Sequence, residues 1–150
     1  MNKSNFIYLF VLLAGMVYLN ACKKKEDPAP TRKEMLASAS GKKWRATSVN
    51  VNSSDVFSPT PACYRDNLYV FYTDNKLVTD EGASKCASNN PQTADTGTWS
   101  LSTDEKNLTL NFEYGGLFGG EFTITEMSST TLKGTRAGQN STMNVTLTAQ

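Results

Sequence analysis

The chain has 150 residues, with 15 lysines and arginines against 14 aspartates and glutamates, three cysteines and no histidine. A formal net charge of +1 provides no basic field that would hold nucleic acid, so we expect no nucleic-acid partner. The missing histidine removes the commonest general base and the usual Ser-His-Asp triad. The composition therefore argues against an enzyme, and the length suits a single domain.

The N-terminal segment, residues 1–21, predicts a signal peptide. Lys3 precedes an apolar run of 14 residues from Phe6 to Leu19, which has the length of a signal-peptide core and is too short to span a bilayer comfortably. Ala21 then stands directly before Cys22, and this stretch resembles the lipobox of bacterial lipoproteins. The resemblance implies cleavage before Cys22 and lipid attachment to it. An uncleaved signal anchor would need about 20 apolar residues.

Residues 22–30 predict a tether between the lipid and a folded domain. Pro28 and Pro30 favour an extended, polyproline-like backbone. The run Lys23–Lys25 is either a solvated spacer or a patch that meets lipid head groups. Together with the two acids that follow, Lys25 resembles export signals of some Bacteroidetes-type lipoproteins. We therefore expect a lipid-anchored protein of the cell envelope, in the outer membrane, on its periplasmic face or at the cell surface.

Residues 31–150 predict one domain that begins with a short helix. Thr31 and Glu34 have the spacing of a capping box, and the helical pattern runs over 32–39. Gly41 is predicted to end the helix. The apolar stripe is narrow, so the helix is expected to act as a plug or lid on a larger body.

The rest of the domain alternates apolar and polar residues with the period of β-strands. Polar loops over 52–62 and 81–95 and several short turns separate the strands, which favours an antiparallel meander. Eight strands are predicted, beginning near Trp44, Leu68, Leu77, Gly97, Leu108, Phe122, Leu132 and Met143.

An eight-stranded meander leaves two exposed edges unless it closes. We therefore predict an all-β fold, an eight-stranded antiparallel up-and-down barrel whose interior is filled by side chains or holds one small ligand. An outer-membrane barrel would need apolar residues on its outer face, whereas the predicted outward positions carry Thr, Asn, Lys and Glu.

Several short motifs, in this order, resemble the lipocalin-like lipoproteins common in Bacteroidetes. They are Gly41-Lys42-Lys43-Trp44, Tyr69-Val70-Phe71 with Asp74-Asn75, Asp80-Glu81-Gly82 with Cys86, and Gly97-Thr98-Trp99-Ser100-Leu101 with Leu108-Thr109-Leu110. Lipocalins usually have one residue between the glycine and the tryptophan, where this chain has two lysines. The resemblance implies a lipocalin or calycin-like barrel whose floor is closed by Trp44. It also implies that Arg136 packs across that ring, unless Arg136 is an ordinary solvent-facing arginine.

With Cys22 lipidated, Cys63 and Cys86 remain, and an oxidising envelope makes a disulfide between them the default. A metal or redox pair is the alternative, but the chain has no histidine and no C-x-x-C motif. No metal or cofactor is expected. The acidic pairs Asp80-Glu81 and Asp104-Glu105 are interpreted as solvated turn residues, and the glycines of 115–120 as a flexible hairpin tip.

These features predict a non-enzymatic, membrane-anchored lipoprotein that binds a small apolar ligand in its barrel. A filled core with no cavity is the open alternative. In that case the protein would be a structural or protein-interaction lipoprotein, such as an envelope accessory subunit or an inhibitor, that uses the loops 52–62 and 82–95. The candidate ligand-lining residues are Trp44, Tyr69, Phe71, Trp99, Leu110, Phe112, Phe122 and Val145.

Overall fold

A computed structural model of the protein describes residues 28–113 and 118–150. The predicted signal peptide, Cys22 and the central part of the glycine-rich turn lie outside these ranges. The described residues contain two short helices, α1 (Arg32–Leu36) and α2 (Ala62–Arg65). The strands are β1 (Lys42–Val51), β2 (Ser54–Asp55), β3 (Leu68–Phe71), β4 (Lys76–Asp80), β5 (Thr93–Leu101), β6 (Asn107–Phe112), β7 (Gly120–Met127), β8 (Thr131–Ala137) and β9 (Thr142–Ala149).

The strands form a closed antiparallel barrel. Each of the strands from β3 to β9 pairs with its neighbour in sequence, and β1 pairs with both β3 and β9. The β1–β9 seam runs from Trp44 opposite Ala149 to Val51 opposite Met143, with one irregularity between Ala46 and Ser48. This closure confirms the predicted eight-stranded barrel and removes the two free edges of an open meander.

Two predicted loops contain more regular structure than expected. The 52–62 loop holds the two-residue strand β2, because Asn52 and Ser53 adopt positive φ and turn the chain back onto the end of β1. The 81–95 loop ends earlier than predicted, since Thr93 pairs with Asp80 and starts β5 before the apolar alternation begins.

Helix α1 is the predicted plug, although it is shorter than predicted. The Thr31–Glu34 capping box is present, and Leu36 is completely buried. The helix ends at Leu36 rather than at Ala39, because Ala37 is extended and Ser38 forms a bridge with Tyr72 of the barrel. Tertiary pairing therefore ends the helix before Gly41 is reached.

Contacts from α1 and the start of β1 fasten three hairpin turns at one end of the barrel. Arg32 donates to the carbonyl oxygen of Glu105 at 2.8 Å, and Lys33 donates to the Asn75 side chain at 3.4 Å. Lys42 donates to the carbonyl oxygens of Met35 and Ser129. We call this end, with the turns 72–75, 102–106 and 128–130, the closed end.

The largest buried rings pack near the closed end. Trp44 is completely buried, and its indole N–H donates to the carbonyl oxygen of Leu36 at 2.8 Å. Trp99 donates to the carbonyl oxygen of Tyr72 at 3.0 Å and meets Phe71 edge to face at 5.9 Å between ring centroids. Both indole N–H groups are thus satisfied without water, as dense packing of tryptophan requires.

Within residues 28–113 and 118–150, neither helix has the length and apolar character needed to cross a bilayer.

Gly97 allows two strands to approach closely in the barrel wall. A Cβ at this position would overlap the backbone carbonyl of Asn111 on β6. We predict that Gly97→Ala lowers the free energy of unfolding by about 2–3 kcal/mol, because the strands must move apart. Urea unfolding followed by tryptophan fluorescence measures the change. The neighbouring Thr98 is exposed, so Thr98→Ala is the matched control, and equal stability of the two variants would contradict the prediction.

Candidate functional site

The end of the barrel opposite α1 carries the candidate site. It is formed by α2, the loop 81–92 between β4 and β5, the loop 138–141 between β8 and β9, and the described part of the connection between β6 and β7. We call it the open end. Within the described residues the two ends differ: α1 inserts the fully buried Leu36 at the closed end, whereas α2 at the open end has no buried residue.

The described residues enclose a small cavity in the interior of the barrel. Its volume is about 30 Å³, which is room for one or two water molecules, and its wall is almost entirely apolar. Five of the eight predicted lining residues lie on this wall, namely Tyr69, Phe71, Leu110, Phe122 and Val145. The other three, Trp44, Trp99 and Phe112, belong to the surrounding core. Ligand contact by the eight residues stays a prediction.

A much larger cleft lies at the open end. Its volume is about 450 Å³. The lining residues are Thr60, Tyr64, Asn67, Tyr69, Thr79, Glu81, Ala94 and Asp95.

Strand register explains why these polar side chains meet. Tyr69 on β3 lies opposite Thr79 on β4, which lies opposite Asp95 on β5. All three side chains point inward and are at least nine-tenths buried. Two residues nearer the closed end, the equivalent row is Phe71, Leu77 and Gly97. The barrel interior therefore changes from apolar to polar within one inward-facing row.

Tyr69 lies at the boundary between the internal cavity and the cleft, since it lines both. Its ring meets Phe118 edge to face at 5.0 Å and Phe112 at 6.3 Å between centroids. Burial raises the pKa of its hydroxyl above the ordinary value of 10, because the phenolate would lose its hydration. Tyr69 therefore stays a neutral donor and acceptor.

Glu81 corrects the interpretation of Asp80-Glu81 as a solvated acidic pair. Only 5% of Glu81 is exposed, and its carboxylate accepts one long hydrogen bond of 3.4 Å from the backbone N–H of Cys86. Asp80 instead accepts hydrogen bonds from Gly82 and Gln92. The signal was available in the sequence, because Glu81 continues the inward alternation of Leu77 and Thr79.

The predicted disulfide between Cys63 and Cys86 is confirmed, with 5.1 Å between the two Cα atoms. It ties α2 to the loop 81–92, on the two sides of the cleft. Gly82 has positive φ, and a Cβ there would overlap the carbonyl of Asp66 at the end of α2. In the orientation that satisfies its hydrogen bonds, the Asn67 amide donates to the carbonyl oxygens of Cys63 and Glu81. The covalent and polar links therefore position Glu81.

The implied packing of Arg136 across Trp44 is wrong. Arg136 lies over the ring of Phe122, 5.3 Å from its centroid, and donates to the carbonyl oxygen of Gly119. Its strand partner Met143 lies opposite Val51, seven residues along β1 from Trp44, and each residue advances a strand by about 3.3 Å. Lys42 is the cation over Trp44, at 4.9 Å from the ring centroid.

Sequence reasoning missed most of the cleft. Thr60 and Asp95 lie in predicted loops and Asn67 at the start of a predicted strand, so the sequence gives none of them an inward direction. Tyr64 falls between the predicted elements, and Phe118 lies in the predicted glycine-rich tip. Among residues 28–113 and 118–150, no group of three or more Cys, Asp or Glu side chains is arranged to hold a metal ion.

The comparisons identify the family. A model of the lipocalin-like domain matches residues 41–134, which is more than half of the chain. The closed antiparallel barrel agrees with this match, and the chain belongs to the lipocalin-like domain family. No curated protein matches the sequence.

Loss of the Cys63–Cys86 disulfide should loosen the open end. We predict that the double variant Cys63→Ser with Cys86→Ser loses about 3 kcal/mol of unfolding free energy, because the unfolded chain is no longer cross-linked. Urea unfolding under non-reducing conditions measures the difference. The wild type with added reductant is the control and should behave like the variant; an unchanged midpoint in both would contradict the prediction.

Proposed function

We propose that this protein is a non-enzymatic, membrane-anchored lipoprotein that binds a small ligand in the cleft at the open end of its barrel. The observation that carries the proposal is the difference in volume between the cleft at the open end and the cavity inside the barrel. The cleft of about 450 Å³ has the size of small-molecule sites, whereas the internal cavity of about 30 Å³ does not.

The composition of the cleft supports binding rather than simple solvent exposure. Tyr64 and Tyr69 provide aromatic surface, and Thr79, Asn67 and Glu81 provide polar groups that can fix orientation. This revises where the ligand is expected. An apolar group that entered the barrel would have to displace Phe118 or Tyr69, both of which are packed against each other.

Two observations support the non-enzymatic part of the proposal. The chain contains no histidine to act as general base. The hydroxyl of Tyr69 cannot take that role at neutral pH, because burial holds its pKa above 10.

The tether and the cleft would lie at opposite ends of the domain. Residues 28–31 lead into α1, which covers the closed end. If lipid is attached at Cys22, as the resemblance to a lipobox implies, the cleft would face away from the membrane of the cell envelope. Such an orientation suits a site that samples the periplasm or the cell exterior.

A protein-interaction role is the second candidate. Val56 and Tyr64 are large apolar side chains exposed to 40% and 55%, and both lie in the segment that contributes to the open end. An envelope protein that covered this segment would bury both residues. The same segment forms one side of the cleft. Ligand binding and protein interaction therefore predict different partners for the same surface.

Native mass spectrometry of the full chain, purified under oxidising conditions, tests the proposed function. We predict a reproducible non-covalent mass of a small molecule that is lost on denaturation. The Asn67→Ala variant should carry less of it, since Asn67 lines the cleft. Asn107→Ala, at the closed end, is the control. A bare protein mass, with another protein retained instead, would favour the interaction role.

The anchor is tested by Cys22→Ser. The variant should move from the membrane fraction to the supernatant, because it lacks the thiol that carries the diacylglycerol, and the acyl chains supply the membrane affinity at about 0.8 kcal/mol for each buried methylene. Fractionation after labelling with an alkyne fatty acid measures both effects. Labelling of Cys22→Ser at the wild-type level would contradict the proposal.

A further inference from the structure

We propose that the ligand carries an ammonium group, which Glu81 and the hydroxyl of Tyr69 bind at the floor of the cleft. This inference rests on the proposed function, since it names the chemical class of the ligand for the same site. It is carried by three observations: the charges that line the cleft, the environment of Glu81, and the environment of the Tyr69 hydroxyl.

Among the described residues that line the cleft, Glu81 and Asp95 are acidic and none is basic. Asp95 already has a partner, so the inference depends on the charge of Glu81. The basic side chains described near the open end either have other partners or do not line the cleft. Lys85 donates to the carbonyl oxygen of Asn90 at 2.9 Å, and Arg136 is held by Gly119 and Phe122. Arg65 on α2 is exposed and does not line the cleft. The site therefore favours a cation and disfavours an anion.

Glu81 is a buried carboxylate without a compensating cation among residues 28–113 and 118–150. Its hydrogen bond from Cys86 is 3.4 Å long, at the limit for such a contact. A buried carboxylate is costly unless it is paired and hydrogen-bonded. An ammonium group in the cleft would supply both the charge and short N–H donors.

Tyr69 provides an independent observation. Only 8% of the residue is exposed, and no hydrogen bond to its hydroxyl is found among the described residues, although the oxygen itself is not fully enclosed. Since the wall of the internal cavity is almost entirely apolar, the hydroxyl faces the polar cleft. A ligand in the cleft can therefore reach this hydroxyl and hydrogen-bond to it in place of water.

The shape of the cleft favours an organic ammonium over a bare metal ion. The volume of about 450 Å³ far exceeds that of an ion, and the described residues provide no cluster of three metal-ligating side chains. Tyr64, 55% exposed at the rim, offers a ring face to the carbon skeleton or to the cation itself. We therefore expect an amine with an aromatic or aliphatic body.

Three probes of one size test the charge. They are 2-phenylethylammonium, 2-phenylethanol and 3-phenylpropanoate, added to the ¹⁵N-labelled full chain with its disulfide formed. We expect the ammonium to bind at least about tenfold more tightly than the alcohol, because one charge-assisted hydrogen bond gives about that ratio of affinities. The carboxylate is expected not to bind. Amide shifts should concentrate at Asn67, Thr79 and Ala94.

Variants test the two named groups. Glu81→Gln should weaken ammonium binding at least about tenfold, and Tyr69→Phe should weaken it a fewfold. Glu121→Gln removes the same charge from an exposed site, and Tyr72→Phe removes a hydroxyl at the closed end; both should bind like the wild type. Amide spectra of each variant without ligand show whether its barrel is folded. The comparison of the three probes on the wild type does not depend on any variant.

Each outcome decides the inference. Equal or tighter binding of 2-phenylethanol in the cleft would overturn the ammonium assignment and leave a ligand-binding cleft standing. Equal weakening by Glu81→Gln and Glu121→Gln would overturn the role of Glu81. If no probe shifts the cleft amides, the ammonium inference fails, whereas the proposed function fails only if the native mass spectra show no bound small molecule.

Discussion

The pairing of the first long strand with the last one is the constraint on which the structure depends. Backbone hydrogen bonds along the seam join β1 from Trp44 to Val51 with β9 from Met143 to Ala149, two segments about a hundred residues apart in sequence. Without this seam, both strands would present unpaired backbone groups, and the apolar inner face would be open to water. The same strand β1 also pairs with β3, so one strand fixes the register of both neighbours across the closure.

Closure creates two ends with different chemistry. At the closed end, α1 inserts Leu36, and the indole of Trp44 uses the carbonyl oxygen that this helix leaves free. At the open end, no comparable plug is present in the described residues, and the disulfide between Cys63 and Cys86 ties α2 to the loop 81–92. The end that α1 covers is therefore closed by packing, while the end that carries exposed loops is available for recognition.

The polar row of Tyr69, Thr79 and Asp95 separates a packed core from a potential site. Apolar residues in these positions would extend the core and stabilise the barrel, whereas buried polar groups cost free energy unless they are satisfied. The aromatic contact of Tyr69 with Phe118 closes the core beneath this row. Under the proposed binding function, the polar groups of Tyr69 and Thr79 would meet a ligand at a depth where packing alone would favour carbon.

Local sequence patterns determined much of this protein. Alternation identified the eight barrel strands, and the spacing of Thr31 and Glu34 identified the cap. The two cysteines that remain once Cys22 is taken as lipidated identified the disulfide. Each of these predictions depends on neighbouring residues or on simple pairing. The tertiary structure decided where α1 ends, that Arg136 lies over Phe122 and that Glu81 is buried. It also decided that the internal cavity is small and the cleft large. These features depend on distances across the closed barrel and on how individual side chains pack. A local sequence pattern encodes neither.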